Sequence, residues 1–174
     1  MNVRLRITSF CGGLAALMGA AIAHAETVHA RLISYEEVPA VSSVGSGNFR
    51  ASIDETAGAL HWTLSYEAME ADVTQSHLHL GQASVNGGVF VFLCSNLGNG
   101  PAGTQACPAR AGELSGVIMA GDMVAGATAQ GLSPGEFAEL VEALRSGVVY
   151  ANVHTTARPG GEIRGQIKGN EGRN

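Results

Sequence analysis

Most of the chain alternates between apolar and polar residues, which is the period-2 pattern of half-buried β-strands. The clearest case is the segment 59–66, in which Trp62, Leu64 and Tyr66 share one face and polar side chains share the other. Clusters of Gly, Pro, Asn and Asp separate the alternating segments and mark turns. The pattern predicts strands over residues 28–35, 48–53, 59–66, 73–80, 89–94, 113–119, 148–155 and 162–168.

Two segments depart from this alternation. Residues 89–93 are continuously apolar, so we expect this strand in the centre of the sheet with both faces covered. A helix is predicted after Ser133, a good N-cap residue, with Pro134 at the first helical position and Glu136 completing a capping box. Apolar residues then recur at helical spacing until Gly147, a stop signal. Seven or eight short strands with one short helix indicate an all-β fold, an antiparallel β-sandwich or barrel.

The first 25 residues have the features of a cleaved export signal. Arg4 and Arg6 form a basic start, an apolar run follows, and Ala23-His24-Ala25 has the small-x-small form of a cleavage site. The apolar run is shorter than the ~20 residues that a transmembrane helix needs, so we predict no membrane span. The mature chain is therefore expected in the periplasm or outside the cell.

The mature chain, residues 26–174, is expected to form a single domain with its core over residues 27–168. Loss of the signal removes two of the ten Lys and Arg residues and none of the 15 Asp and Glu, which lowers the net charge from −5 to −7. A chain this acidic, without a run of basic residues, is a poor candidate for binding nucleic acid or anionic lipid.

Cys94 and Cys107 are the two cysteines of the mature chain. In an oxidising compartment, two cysteines on either side of a stretch rich in Gly, Asn and Pro predict one disulfide. Metal ligation by these cysteines would be favoured by a tight CxxC spacing, which they lack. The chain-entropy model assigns such a bridge about 3 kcal/mol of stabilisation.

Three of the six histidines lie in two predicted strands that are far apart in the sequence. His77 and His79 point to the same face of one strand, because side chains alternate, and His154 can approach them from the other. Neutral imidazoles bind Zn, Cu, Fe or Ni, so the three residues are candidate ligands for a metal such as copper or zinc. The alternative is structural: the imidazoles hydrogen-bond to the backbone or to Asn152 and hold the strands in register.

Two charged residues of the last predicted strand adjoin this candidate site. Glu162 is a candidate for the carboxylate that orients a ligand imidazole. We interpret Arg164 as one member of an exposed cross-strand ion pair, worth about 0–1 kcal/mol. Glu36 or Glu37, which follow the first strand, are its candidate partners.

The sequence contains no enzyme signature that we recognise: no Gly-x-Ser-x-Gly elbow, no phosphate loop and no dinucleotide fingerprint. We therefore assign no catalytic residue and do not expect an enzyme. His29 and His61 each stand alone on an alternating strand, and a solvent-facing or hydrogen-bonded position is expected for both.

Three motifs resemble those of the CHRD domain family. Residues 150–155, Tyr-Ala-Asn-Val-His-Thr, with 159–167, Pro-Gly-Gly-Glu-Ile-Arg-Gly-Gln-Ile, are similar to the closing signature of that family, which includes Asn152, Glu162 and Arg164. Residues 77–81, His-Leu-His-Leu-Gly, resemble its His-x-His-x-Gly motif, and residues 36–39, Glu-Glu-Val-Pro, resemble its opening. The resemblance implies an extracytoplasmic β-rich domain, as found in chordin and in secreted microbial proteins, without an assigned biochemical activity.

The sequence thus favours an exported, non-enzymatic binding module with a metal ion as candidate ligand and a protein or glycan partner that it does not identify. A second interpretation is a metal-dependent redox enzyme resembling copper/zinc superoxide dismutase, also a β-sandwich with a His-x-His strand. A third is a structural or adhesion module of the envelope. Metal binding predicts that the three imidazoles converge to within about 4 Å of one another.

Overall fold

The computed structural model describes residues 25–169, so all but the last residue of the predicted export signal lies outside the described chain. It contains nine strands and one α-helix: β1 (Glu26–Ile33), β2 (Ser46–Asp54), β3 (Ala59–Glu67), β4 (Val73–Leu80), β5 (Gly88–Ser95), β6 (Gly112–Met119), α1 (Phe137–Arg145), β7 (Val149–Thr155), β8 (Ile163–Gln166) and β9 (Lys168–Gly169). Short 3-10 helices span Ser34–Glu36, Ala120–Asp122 and Ala125–Gln130.

The strands form a nearly closed antiparallel barrel. Eight of them follow the order β5-β4-β7-β8-β1-β2-β3-β6, and the two-residue β9 pairs with β1 beside β8. Gln105 bridges the gap between the two ends of this order, because its carbonyl accepts from the Ser95 N–H and its side-chain amide donates to the Ser115 carbonyl. The all-β prediction is confirmed, and the architecture is the barrel; the strand predicted over residues 162–168 is divided into β8 and β9.

The interior of the barrel is filled by the alternate residues of each strand. Trp62, Leu64 and Tyr66 of β3 are buried as the alternation predicted, while His61 and Thr63 between them are exposed. Because a one-residue slip would turn this apolar set to solvent, burial specifies the register of the β2–β3 and β3–β6 pairs.

The position predicted for the continuously apolar strand was wrong. β5 lies at one end of the strand order rather than at its centre. Its outer edge is nevertheless covered, because the segment around the 3-10 helix Ala125–Gln130 packs on it and the Val124 N–H donates to the Phe90 carbonyl at 2.8 Å. An apolar run therefore indicated burial correctly without indicating a central place in the sheet.

The helix begins later than predicted. Helix α1 starts at Phe137 and has no side-chain cap. One bond of the predicted capping box is present, since the Glu136 side chain accepts from the Ser133 N–H at 2.7 Å, but the helix does not start there. Gly135 between them has φ 91°, a left-handed conformation that interrupts a helix. The predicted stop is confirmed, since Gly147 follows the last turn with φ 67°.

The disulfide prediction is confirmed. Cys94 at the end of β5 is bonded to Cys107 with an S–S distance of 2.03 Å, which ties β5 to the loop that leads to β6. Across residues 25–169, no helix combines the length and the apolar character that a membrane span requires.

Candidate metal centre

Strands β4 and β7 bring the three candidate histidines together. They are antiparallel neighbours, and their register places His77 opposite Asn152 and His79 opposite Tyr150. Leu78 between the two histidines is fully buried in the apolar core. The imidazoles therefore lie on the other face of these strands, the outer face of the barrel, as the alternation predicted for His77 and His79.

The three imidazoles converge on this face. One ring nitrogen of each of His77, His79 and His154 lies within 4.8 Å of the others, and His77 Nδ1 is 3.2 Å from His154 Nε2. All three side chains are buried. The widest nitrogen–nitrogen distance, up to 4.8 Å, exceeds the ~4 Å expected. Two nitrogens bound to one tetrahedral zinc are about 3.3 Å apart, so a bound ion would draw the widest pair of imidazoles together.

Backbone carbonyls fix the orientation of two of the rings. His79 Nδ1 lies 2.9 Å from the Gly87 carbonyl oxygen, and His154 Nδ1 lies 3.0 Å from that of Pro159. A carbonyl oxygen only accepts, so each Nδ1 carries the proton and donates it. In the neutral rings Nε2 is then unprotonated, which is the tautomer that metal-ligating histidines adopt when the opposite nitrogen is bonded to a carbonyl.

The remaining polar contacts leave lone pairs unsatisfied. His77 Nδ1 donates to His154 Nε2, and His77 Nε2 is buried with no hydrogen-bond partner among the described residues. Asn152 Oδ1 lies 3.1 Å from His79 Nε2, and both atoms are acceptors in this tautomer. Either the Asn152 amide turns its NH₂ group to the ring or a cation lies between the two acceptors.

Burial keeps the cluster uncharged. It lowers the pKa of His77 to about 3, with further lowering by the nearby His154 and His79. Burial also lowers the pKa of His79 to about 4, although its bond to the Gly87 carbonyl acts in the opposite direction. The pKa of His154 is lowered by burial as well. At neutral pH all three rings are neutral, which is the form that binds metal.

Arg164 holds the loop that covers the site, and its interpretation as an exposed ion pair was wrong. The side chain is 1% exposed and lies over the ring of Tyr150, at 3.4 Å from the centroid. Tyr150 in turn stacks on His79, with ring centroids 4.6 Å apart. The Arg164 guanidinium donates to oxygens of the loop 81–87, in order Gln82 O, Val85 O and Asn86 Oδ1. Carbonyl groups and an aromatic face, rather than a carboxylate, therefore satisfy this buried cation.

Glu162 does not orient an imidazole, contrary to the sequence interpretation. Its side chain is fully buried, and Oε2 accepts from the Thr155 hydroxyl at 2.7 Å. Oε1 accepts from the Ser43 hydroxyl at 2.7 Å and from the Glu70 N–H at 2.9 Å. Glu162 thus ties three chain segments together, and backbone carbonyls perform the role that we had assigned to it.

Sequence reasoning missed several parts of the site. The stacking of Tyr150 on His79 could have been found, since Tyr150 shares the alternating face of Asn152 and His154. The Gly87 and Pro159 carbonyls carry no side-chain signal. Phe92, whose ring meets that of His77 edge-on at 4.5 Å, lies opposite it on β5 only because of the pairing register.

Glu37 is a buried carboxyl beside this site. Its pKa is raised to about 7 by burial, while the charge of Arg164 acts to lower it. Glu37 Oε1 has no hydrogen-bond partner within residues 25–169, and a side chain at Gly161 would collide with the carboxyl group. The expected Arg164 partner thus lies close enough to feel its charge but does not form an ion pair with it.

Comparison with known proteins identifies the family. No curated protein and no solved structure matches the chain. The model of the CHRD domain matches residues 28–167, from the third residue of β1 to the residue between β8 and β9. The matched range includes the three histidines, the disulfide and Arg164. The chain therefore belongs to the CHRD domain family.

Proposed function

We propose that this chain is an exported CHRD-domain binding module that holds one transition-metal ion through His77, His79 and His154. The observation that carries the proposal is the shared arrangement of His79 and His154. In both, Nδ1 donates to a backbone carbonyl, which leaves Nε2 unprotonated; His154 Nε2 faces His77 and His79 Nε2 faces Asn152. His77 points Nδ1 at His154 Nε2, and this nitrogen becomes the third ligand when its proton moves to the buried, unpartnered Nε2 of the same ring.

The donor set favours copper or zinc. Imidazole nitrogens suit these ions, whereas calcium and magnesium prefer oxygen ligands. The bond between His77 and His154 must give way when an ion enters, and the 3.2 Å between their nitrogens is already close to the ~3.3 Å of two ligands on a tetrahedral ion. The main adjustment at this pair is therefore the loss of the proton between the two nitrogens, without a change in the strands.

Burial under the loop 81–87 favours holding an ion over turning over a substrate. The most exposed of the three histidines, His79, is only 8% exposed. Three ligands nevertheless leave one tetrahedral position open, and this supports metal-dependent redox chemistry as the second candidate function. Export follows from the predicted signal at residues 1–25, and the Cys94–Cys107 disulfide is the kind of bond that an oxidising compartment maintains.

Metal content tests the proposal directly. Protein purified from the full chain is exposed to copper or zinc and desalted, and bound metal is measured by mass spectrometry. We expect about one ion per chain, lost in the double variant His77→Ala/His79→Ala. The matched control, His29→Ala/His61→Ala, removes the same number of histidines from exposed positions and should retain the ion.

The double variant could lose the metal because it misfolds and not because it lacks the ligands. A second measurement, on the unmodified protein, avoids this ambiguity. An ion that binds the folded state raises its stability, by about 2.7 kcal/mol at a free concentration 100 times Kd, and so raises Tm. Absence of retained metal together with an unchanged Tm in copper and in zinc would refute the proposal. The histidines would then have the structural role, and the search would turn to protein or glycan partners.

A further inference from the structure

The basic residues of this acidic chain are unevenly distributed. Among residues 25–169, three arginines form surface ion pairs: Arg110 with Asp72, Arg158 with Glu70, and Arg145 with three glutamates. Arg164 is buried at the candidate metal centre. The other basic side chains of the described chain form neither an ion pair nor a side-chain hydrogen bond; they are Arg31, Arg50 and Lys168.

These three unpaired cations lie on one face of the barrel. The register places His29 of β1 directly opposite Arg50 of β2 and, on its other side, opposite Lys168 of β9. Arg31 lies two residues further along β1, on the same face as His29. His61 of β3 is opposite Ser52 and therefore diagonal to Arg50. All five side chains are exposed, and we call them the basic face: His29, Arg31, Arg50, His61 and Lys168.

Keeping these cations together has an energetic cost. Arg31 is diagonal to both Arg50 and Lys168, within reach of long side chains, and carboxylates to pair with these cations are abundant in a chain with 15 Asp and Glu. Arg110, Arg145 and Arg158 show that surface cations elsewhere in this structure do find such partners. An unpaired row of cations in an otherwise acidic domain is a surface that attracts an anionic ligand.

Two grooves run along the basic face and share His29. One, of about 580 Å³, is lined by His29, Arg50 and His61 together with the hydroxyl groups of Ser52, Thr63 and Ser115. The other, of about 500 Å³, is lined by His29, Arg31 and Lys168, with Glu36 at its side. Both grooves are lined by His29 and so adjoin, and a ligand that fills both contacts β9, β1, β2 and β3. This extent favours a polymer over a single small anion.

We propose that the basic face binds a linear polysaccharide that carries carboxylate groups. Arginine matches carboxylate oxygens in a bidentate geometry, and Ser and Thr hydroxyls suit the hydroxyl groups of sugars. A protein partner normally buries apolar or aromatic anchors in pockets. Among the exposed side chains that line either groove, Val117 is the single large apolar one in the described residues, so an acidic peptide finds few such sites.

The proposal is tested by affinity for polygalacturonate, measured calorimetrically in low salt without added metal. Arg50→Gln/Lys168→Gln removes two cations from the basic face and should weaken binding about tenfold or more. Arg110→Gln/Arg158→Gln removes two ion-paired cations and so changes the net charge equally; its affinity should stay within about twofold of wild type. Binding should also weaken as salt rises, because the contacts are exposed.

Three results would overturn it. One is no binding of polygalacturonate by the wild-type protein. A second is an equal loss in both double variants, which would assign binding to bulk charge. The third is equal or tighter binding of poly-L-glutamate at the same charge density, which would indicate an acidic polypeptide instead. Neutral dextran is the control for binding that does not depend on charge. None of these measurements depends on the histidines of the candidate metal centre.

Discussion

Two outer faces of the same barrel carry histidines, and they differ in what covers them. On β4 and β7, His77, His79 and His154 are only 3%, 8% and 7% exposed, and the loop 81–87 and the turn at Pro159 contact His79 and His154. On β1 and β3, His29 and His61 occupy equivalent alternating positions but are exposed. The strand pattern is therefore the same, and covering loops decide whether an imidazole becomes a neutral, oriented candidate ligand or part of a solvated cationic surface.

The largest expected effect that separates the two faces is on acid stability. The folded-state pKa values of His77 and His79 are about 3 and about 4, below the ordinary value of 6.5. Between pH 3 and pH 6.5 the unfolded state therefore binds more protons than the folded state. Their stabilisation is complete above pH ~6.5 and is lost as the pH falls toward 3. We expect the metal-free protein to lose on the order of several kcal/mol over this range, measured by urea unfolding. A flat profile would contradict neutral buried histidines.

The next largest effect concerns Arg164, which holds the loop 81–87 over the candidate metal centre. Arg164→Gln should lower the free energy of unfolding by about 3 kcal/mol, since several loop acceptors and the Tyr150 ring lose a buried cation. Arg50→Gln on the basic face should change it by less than about 0.5 kcal/mol. Chemical unfolding of both variants gives the comparison; equal effects would mean that Arg164 does not hold the loop.

A smaller effect is expected at Glu37. Its folded-state pKa of about 7 exceeds the ordinary value of 4.5 for a glutamate, so its contribution to stability is fully present below pH ~4.5 and is lost as the pH rises through 7. Glu37→Gln should therefore stabilise the protein by about 2 kcal/mol at pH 8 and leave it unchanged at pH 4. The exposed neighbour supplies the control, since Glu36→Gln should have no such pH-dependent effect. A gain at pH 4 as large as at pH 8 would disprove this assignment.

The smallest effect is expected for the two exposed histidines, in contrast to the buried ones. His29→Ala/His61→Ala should change the free energy of unfolding by less than about 0.5 kcal/mol, because both side chains are exposed and form no hydrogen bond within the described residues. Thermal unfolding is the measurement. A loss of more than 1.5 kcal/mol, which is on the scale of a buried contact, would show that the two faces are less different than their exposure indicates.

Local patterns predicted the strands well because alternation is a property of each segment. The ranges of β2 to β7 agree with the sequence prediction to within about two residues, a normal uncertainty for element boundaries. The helix start was missed because Gly135 takes a left-handed conformation that a capping motif does not reveal. The roles of Glu162 and Arg164 were misread because their partners belong to loops distant in sequence, Ser43 and Glu70 for one and residues 82–86 for the other.

The sequence by itself determined the strand periodicity, the disulfide and the shared face of His77 and His79, because each depends on neighbouring residues or on the number of cysteines. Tertiary structure decided that His154 joins them, through the β4–β7 register, and that backbone carbonyls orient two of the rings. It also decided that cations from β1, β2 and β9 meet in one row, although no basic run exists in the sequence. The physical reason is the same in each case: strand pairing joins residues whose separation along the chain carries no local signal.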